Sequence, residues 1–395
     1  MTRATIIFAL LALGALGCSK SQLVDVAMSG APHASSARGM HVGGRLVLAG
    51  DMHCHVLPPD APHHVSRDLG DTVELARKEG LDFVVLTPHV PKRFFMDEDV
   101  RLWTLSSQQE LRARLAALHP DLIVIPGFEY TDHRYGHAGM SFADPAEVLA
   151  GLSTAEAQVH PERFFEQWLA RGGLVTINHP VNRALENAPF AELRNDMSWR
   201  AFRGRATPPE ISFITEHAQA VETFNASVTH LRDQFVVGEE DRSLREAAHI
   251  LDRTSRDQHR RIAAVGGSDS HGHWLRATTF VLASDRSAAA IREAIAGART
   301  CVRGPDACTL QARPQDGRES AWRGVGEAFT TDRATLEARA SGGEVTYVVN
   351  GAITATAMSE QVVSLPIPTG RCAVVRAIVG RSWSSALYVN CSLAD

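Results

Sequence analysis

The sequence predicts an α/β fold in which a mainly parallel sheet, covered by helices, is followed by a smaller all-β region. From about residue 44 to residue 300, short β-branched runs alternate with longer helical stretches, the pattern of repeated strand–helix units. About seven such units favour a barrel over an open sheet. After about residue 305 the long helical patterns stop, and short alternating strands follow.

The strand–helix region can be followed along the chain. The stretch DTVELARKEG shows how a helix is recognised, because Asp71 lies near its start and Gly80 at its end. The predicted strands are 44–53, 81–89, 121–129, 174–180, 219–225 and 261–271. The predicted helices are 71–80, 106–119, 160–173 and 243–258.

The C-terminal region is predicted to be a small, sandwich-like β domain over residues 305–395. Its predicted strands are 334–340, 344–358, 361–368, 372–380 and 385–391, and the second of these ranges contains a tight hairpin turn at Asn350–Gly351. No cluster of catalytic residue types occurs here. We expect this domain to pack against the barrel, shape the substrate side or contact a partner.

The N-terminus predicts export. In MTRATIIFALLALGALGCSKS, one arginine precedes an apolar run that is too short to span a bilayer comfortably but has the layout of a secretory signal. The ending ALGC resembles a bacterial lipoprotein cleavage box. We therefore predict a signal peptide over 1–17, a lipid on Cys18 as the only membrane attachment, and a flexible tether over 18–43. The alternative is an ordinary signal peptide cut nearby. Either places the protein in the bacterial periplasm or cell envelope.

Export permits disulfides. Apart from Cys18 and Cys54, four cysteines remain, all in the C-terminal quarter. We predict the pairs Cys301–Cys308 and Cys372–Cys391, with the two other connectivities left open. Cys54 lies between His53 and His55 and should point away from them on a strand, so it is predicted to be a buried free thiol.

Composition narrows the classes of partner. A net charge of −5 and the lack of a Lys/Arg run give no electrostatic case for nucleic acid. A small-molecule substrate is expected instead, and the oligomeric state is left open. The 18 histidines are more informative, because they are not spread evenly.

Imidazoles and carboxylates recur at or just after the ends of the predicted strands. In parallel α/β architectures these ends converge on one face, where active sites form. The set comprises His53, His55, Asp60, His89, Glu129, His137, His179, Asp269 and His271. A lone histidine at a strand end is usually a hydrogen-bonded loop residue, but recurrence at five successive strand ends favours a metal site.

The composition of this set predicts more than one metal ion. Nine nitrogen and oxygen groups are too many for one ion, and a structural zinc site would normally be closed by four ligands. Carboxylates mixed with imidazoles favour zinc, manganese or iron, so we expect two or three such divalent ions. Such a centre attracts an anion and acidifies a bound water, the two requirements of metal-assisted hydrolysis.

The stretch DMHCHVLPPD resembles the D-x-H-x-H…D signature that opens the polymerase and histidinol phosphatase (PHP) domain. The resemblance continues in order through the other members of the set and covers roughly residues 44–304. It implies a distorted, TIM-like (β/α)7 barrel with a trinuclear zinc, manganese or iron centre that hydrolyses phosphoesters, and it implies that all nine residues are ligands. The pieces INHP and VETFN resemble the branch that includes carbaryl hydrolase. One departure is Pro88, which stands where the family usually has aspartate.

These observations predict a metal-dependent hydrolase of ester bonds, most simply a phosphoesterase with a metal-activated hydroxide and no protein nucleophile. The alternatives are a carbamate or carboxylic ester hydrolase and a metal- or ligand-binding surface lipoprotein. Arg183, Arg276, Glu222 and Asn225 are candidate contacts to an anionic substrate. For the two arginines, a surface ion pair is the alternative.

Further histidines and a tyrosine neighbour the predicted ligands. His63 and His64 are either extra ligands or substrate contacts, or solvated loop residues. His133, His273 and Tyr130 are candidates to hydrogen-bond a ligand or to donate a proton.

Overall fold

The computed structural model describes residues 25, 28, 37–118, 121–186, 188, 191–204, 206–315 and 321–393. The predictions for the signal peptide and for Cys18 lie outside these residues. Alternating strands and helices fill the first three quarters of the described chain, which confirms the α/β prediction. Among the described residues, no helix is both long and apolar enough to span a bilayer.

Eleven strands precede residue 305 in the described chain. They are β1 His41–Val42, β2 Arg45–Cys54, β3 Phe83–Leu86, β4 His89–Pro91, β5 Ile123–Asp132, β6 Gly136–Ser141, β7 Leu174–Ile177, β8 Ala220–Asn225, β9 Ala263–Gly267, β10 Thr279–Ala283 and β11 Thr300–Val302.

The α-helices of the described chain all lie in this same part. They are α1 Leu69–Lys78, α2 Glu98–Leu118, α3 Pro145–Ala150, α4 Thr154–Val159, α5 Glu162–Ala170, α6 Ala191–Arg194, α7 Pro209–His217, α8 Ala226–Asp233, α9 Glu239–Asp257 and α10 Ala288–Ala296. The cap of α1 shows why it starts where it does, since the Asp68 side chain accepts a hydrogen bond from the backbone N–H of Asp71.

The strands curl into a barrel-like sheet. β2, β3 and β5 pair in parallel, β5, β6 and β7 pair antiparallel, and β7, β8 and β9 pair in parallel. Beyond β9, Ser270 forms a parallel bridge with Cys54 at the end of β2. The last strand of the run therefore returns to the first, and the strand ends that carry the predicted ligands meet around one mouth.

Strand β6 was not among the predicted strands. Residues 136–141 form a fully buried antiparallel strand between β5 and β7. The turn before it is stabilised by the Asp132 side chain, which accepts hydrogen bonds from the N–H groups of Arg134 and Tyr135. A short segment rich in glycine and alanine gives no alternating pattern, so sequence periodicity missed it.

The C-terminal strands form two sheets. They are β12 Gln311–Pro314, β13 Arg323–Gly324, β14 Ala328–Phe329, β15 Thr335–Arg339, β16 Glu344–Val349, β17 Ala352–Met358, β18 Val363–Pro366, β19 Ala373–Val379, β20 Ser382–Ser384 and β21 Leu387–Val389. Strands β12, β13, β15 and β18 form a separate four-stranded sheet. The predicted hairpin between β16 and β17 is confirmed, with Asn350 and Gly351 both at positive φ.

The other C-terminal sheet is continuous with the barrel sheet, because β20 pairs with β11. The two regions also share apolar cores. Leu48 of β2 and Ile291 of α10 belong to the same buried cluster as Val374 and Tyr388. The domain boundary at residue 304 stays a prediction, and this packing shows that the two regions are closely joined.

The cysteines are arranged as predicted. Cys301 is bonded to Cys308 and Cys372 to Cys391, while Cys54 is a buried free thiol. The end of the predicted tether is ordered, since β1 pairs antiparallel with the start of β2 and Ala37 is buried.

Candidate metal centre

The first two ligand candidates lie at the end of one strand. His53 is the next-to-last residue of β2 and His55 directly follows that strand, two positions on, so their side chains point to the same side, and their Nε2 atoms lie 3.2 Å apart. Both side chains are almost fully buried. Two imidazole nitrogens at this distance can share one ion or bind neighbouring ions.

Glu129, on β5, is the centre of the arrangement. Its Oε1 lies 3.2 Å from His53 Nε2, 3.2 Å from His137 Nδ1 and 3.4 Å from His179 Nε2. Its Oε2 lies 3.6 Å from His89 Nε2 and 4.0 Å from His55 Nε2. One carboxylate therefore faces imidazoles from β2, β4, β6 and the loop after β7.

Eight of the nine predicted ligands fall into three groups whose ligand atoms lie within 4.8 Å of one another. The groups are His53, His55 and Asp269; His55, His89 and His271; and Glu129, His137 and His179. His55 belongs to two of them. The structure thus brings together residues that are more than 200 positions apart in the sequence.

Asp60 is outside these groups but touches two of them. Its Oδ2 lies 3.1 Å from His55 Nδ1 and its Oδ1 lies 2.8 Å from His89 Nδ1. Oδ1 also accepts a hydrogen bond from the backbone N–H of His89. In this arrangement Asp60 orients two imidazoles, a role that outer carboxylates commonly have in metal sites.

Glu222 and Asn225 contact ligand candidates, and their role as substrate contacts stays a prediction. Glu222 is 2% exposed, and its carboxylate lies 3.1 Å from His53 Nδ1 and accepts a hydrogen bond from the backbone N–H of His179. Asn225 donates from Nδ2 to Glu222 and to Asp269 Oδ2. Both residues therefore help to fix the orientation of the ligand candidates that they contact.

Two ligand candidates sit in the left-handed backbone region. His179 has φ 25° and Asp269 has φ 51°, values that non-glycine residues rarely adopt. The backbone N–H of each residue donates a short hydrogen bond. His179 donates to the Glu222 side chain at Oε2 and Asp269 donates to the carbonyl of His53, both at 2.7 Å. Strained residues that neighbouring groups fix in this way cluster at functional sites.

Gly267, at the end of β9, permits close packing behind the site. A Cβ atom there would lie 2.0 Å from Glu222 Oε1 and 2.3 Å from His53 Cβ, so any side chain would displace both. Gly266 also lies within β9.

Burial and carboxylates act in opposite directions on the imidazoles. Burial disfavours protonation of His53, but the charges of Glu129, Asp269 and Glu222 outweigh it and raise the pKa of His53 well above its ordinary value. The pKa values of His55 and His179 are also raised by neighbouring carboxylates against the effect of burial. In the absence of metal cations, these raised pKa values favour protonated imidazoles, whose charge offsets that of the carboxylates.

His137 behaves differently. Burial lowers its pKa to about 4, although Glu129 pulls the other way. Its Nδ1 lies 3.2 Å from Glu129 Oε1 but in an orientation that makes no hydrogen bond. Neither ring nitrogen of His137, nor Nδ1 of His179, has a hydrogen-bond partner among the described residues. Buried ring nitrogens without hydrogen-bond partners suit a metal ion, so the donor set fits the predicted divalent cations.

Pro88 separates β3 from β4. Its carbonyl accepts a hydrogen bond from the N–H of Glu129, and Thr87 Oγ1 accepts one from the N–H of Cys54. Thr87 and Pro88 therefore hold the strands that carry His53 and Glu129 in place, although proline supplies no carboxylate to His89. Asp60 contacts His89 instead.

The two predicted arginines are already paired. Arg183 forms an ion pair with Glu246, and Arg276 lies 3.3 Å from Glu79. At the rim, the exposed His64 ring lies 6.0 Å from the ring of His89, which is partly exposed.

The remaining histidine candidates and Tyr130 are placed as follows. His63 is exposed and packs on the ring of its neighbour His64, while His133 and His273 are exposed. The ring of His133 lies 6.2 Å from that of His137. Tyr130 is buried beside Phe95 and Phe165.

Sequence reasoning missed several residues that brace the ligands. Asp51 is fully buried and accepts hydrogen bonds from the N–H groups of His53 and Ser268, and burial raises its pKa to about 6. Asn178 donates to Glu129 Oε1. Asp51 begins the stretch DMHCHVLPPD and Asn178 lies in INHP, but neither motif specified a contact.

Comparisons with known proteins give the following. No protein-family model matches the chain, and no curated protein matches it. A two-domain protein from Bacteroides vulgatus, containing a predicted PHP-like metal-dependent phosphoesterase, is 16% identical and aligns over 91% of this chain and 100% of its own, with a TM-score of 0.44.

Two further solved structures are more distant. PsfC from Pseudomonas syringae is 15% identical over 60% of this chain and 81% of its own, with a TM-score of 0.35. A lesion-specific endonuclease from Pyrococcus furiosus is 13% identical over 64% of this chain and 56% of its own, with a TM-score of 0.36. Likenesses at this level do not assign an activity.

Proposed function

We propose that this protein is a metal-dependent hydrolase of ester bonds, of the PHP type, with a distorted (β/α)7 barrel and phosphoesters as its favoured substrates. The observation that carries the proposal is the convergence of three ligand groups, two of them sharing His55, at one mouth of the barrel. The unpartnered nitrogens of His137 and His179 support it.

The residues divide into those that would hold ions and those that hold the ligands. Two or three zinc, manganese or iron ions would be bound by His53, His55, His89, Glu129, His137, His179, Asp269 and His271. Asp60 would either bind an ion or orient the imidazole of His55. When bound, such ions supply Lewis acidity and lower the pKa of a coordinated water. Glu222 and Asn225 would fix the orientation of His53 and Asp269.

The charge of the site favours an anionic substrate if three ions are present. Asp60, Glu129, Asp269 and the bracing Glu222 together contribute about −4, so two divalent ions leave roughly zero and three leave roughly +2. Because Arg183 and Arg276 are engaged by Glu246 and Glu79, the attraction of an anion would come from the ions. A phosphoesterase of this kind is therefore proposed to be trinuclear.

Carbamate or carboxylic ester hydrolysis is the second candidate, supported by the resemblance of INHP and VETFN to the carbaryl-hydrolase branch. Asn178 and Glu222 from these motifs contact Glu129 and His53, so they serve the ligands under either reaction. We further propose export to the periplasm or cell envelope, with a lipid on Cys18, from the N-terminal sequence pattern.

The test is the initial rate of hydrolysis of a phosphomonoester, a phosphodiester and an aryl carbamate by the metal-loaded mature chain. The variant His53→Ala with Asp269→Ala removes two members of one ligand group. A matched control, His160→Ala with Asp121→Ala, removes the same residue types at exposed positions.

Phosphoester turnover that is lost only in the first variant supports the proposal. Carbamate turnover alone moves the protein to the second candidate. Metal binding without turnover of any ester contradicts the hydrolase proposal and favours a metal- or ligand-binding surface lipoprotein.

A further inference from the structure

We propose that Arg67 is a positioning residue that sets the spacing between the first and the last ligand segments. The inference rests on the proposed metal centre and concerns how that centre is held together. Arg67 lies in the loop between β2 and α1, and its side chain is fully buried at 0% exposure.

The guanidinium group of Arg67 reaches both ligand segments at once. On the first, Nη2 donates to His55 O at 3.1 Å and to Cys54 Sγ at 2.9 Å. On the last, Nη1 donates to Ser270 Oγ at 2.8 Å, to Trp274 O at 3.0 Å and to Gly272 O. These acceptors include the carbonyl of the ligand His55 and the two residues on either side of the ligand His271.

A third segment fixes the orientation of the group. Nε donates to Thr72 Oγ1 at 2.9 Å, and Thr72 in turn donates to the carbonyl of Asp68 at the start of α1. Arginine has five N–H donors in a rigid, planar fork, and this set of acceptors uses all of its nitrogens. Lysine, with a single ammonium group, could not span the same acceptors.

The two segments that Arg67 joins carry ligand candidates of the same group. The rings of His55 and His271 are stacked with centroids 4.0 Å apart, and both residues belong to the group that includes His89. All six acceptors of Arg67 are neutral, so its charge is not neutralised by them. Asp25 lies close enough to interact electrostatically with this charge, but none of the six hydrogen bonds is made to a carboxylate, so these bonds fix the geometry of the two segments rather than pair charges.

The experiment compares Arg67→Lys and Arg67→Met with the wild type. Arg376→Met is the matched control, because Arg376 is equally buried but pairs with Asp252 and donates to Ser384 O, in the packing between α9 and the C-terminal strands. Metal content after dialysis, the dissociation constant for cobalt(II) and its visible absorption spectrum are measured on each folded protein. Circular dichroism with a chelator present reports folding independently of metal.

Both Arg67 variants are expected to bind at least one ion about 10–100-fold more weakly, with an altered cobalt spectrum, because loss of an outer partner typically costs this much affinity. Arg67→Lys keeps the charge, so its failure to rescue separates geometry from charge. Arg376→Met is expected to lose thermal stability while keeping the wild-type spectrum and affinity.

Wild-type affinity and spectrum in both Arg67 variants, or full rescue by lysine, overturn the inference alone. A wild-type chain that takes up no ion overturns the proposed function, and this inference with it. If neither Arg67 variant folds, Thr72→Val tests the same point by removing only the acceptor of Nε. A weaker loss in the same direction is then expected, and unchanged affinity overturns the inference.

Discussion

The mouth of the barrel and the core of the C-terminal strands are both buried, but they contain opposite chemistry. At the mouth, His53, His55 and Glu129 are at most 1% exposed and are surrounded by further imidazoles and carboxylates. In the C-terminal core, Leu336 and Val345 are 0% exposed and pack against other apolar side chains.

This difference in buried chemistry indicates that the C-terminal core serves stability and that the mouth serves function. Burying apolar area contributes roughly 25 cal/mol per Å² and needs no partner. Burying ionisable groups is costly unless each is paired, so a dense polar cluster is poorly explained by stability. The C-terminal core is joined to the barrel-like sheet through the pairing of β11 with β20. Its apolar burial helps to offset the unfavourable free energy of burying the ionisable groups.

The largest effect on turnover is expected when the negative charge of Glu129 is removed. Glu129→Gln should reduce turnover by on the order of 1,000-fold, more than the 10–100-fold typical for one outer partner, because Glu129 faces ligands of all three groups. Metal content and initial rates measured on the same preparations check this. Glu156→Gln, at an exposed helix cap, is the control. A rate within tenfold of the wild type would show that Glu129 is not central.

The reverse experiment disturbs only the C-terminal region. Replacing Cys372 and Cys391 with serine opens a disulfide that spans 19 positions, and should lower the free energy of unfolding by about 3 kcal/mol. Urea unfolding measures this, with metal content measured beside it. If the metal affinity fell as much as the stability, the separation between the two regions would be broken.

The smallest effect is a difference in pH dependence. The raised pKa values of His53, His55 and His179 stabilise the metal-free fold below pH 6.5, and this contribution is lost as pH rises through the raised values. Metal ions require neutral imidazoles, so stability with metal should rise over the same interval. The depressed pKa of His137 removes stability as pH falls from 6.5 towards 4.

Thermal midpoints between pH 6 and pH 9, with a chelator and with metal, test this opposition. The two curves are expected to diverge by about 1 °C as pH rises, which corresponds to about 1 kcal/mol for a protein of this size. Parallel curves would show that the imidazoles do not exchange protons for metal.

Sequence reasoning selected residues that the fold brings together, because the signals for them are local. A histidine at a strand end is visible in the sequence, and parallel topology then brings such ends together, as His89 and His179 illustrate. The α/β class and the two disulfide pairs followed from periodicity and cysteine spacing in the same way.

The bracing residues could not be located in this way. Arg67, Asp51 and Asn178 contact distant partners that only the tertiary fold brings close. Arg67 contacts Ser270, 203 positions away, Asp51 contacts Ser268 and Asn178 contacts Glu129. Strand β6 was missed because its glycines and alanine give no apolar alternation. Glu222 was noticed, but its direction relative to His53 depends on the curl of the sheet.

The bridge between Cys54 and Ser270 also governs the order in which the centre can assemble during folding. Two of the three ligand groups contain a residue from 269–271 and cannot form until β9 has docked on β2. The group of Glu129, His137 and His179 spans only 50 positions and can form earlier. Long-range closure is slow relative to local pairing. During synthesis from the N-terminus, the first ion should therefore enter at Glu129, and the remaining sites should appear only when the ring is closed.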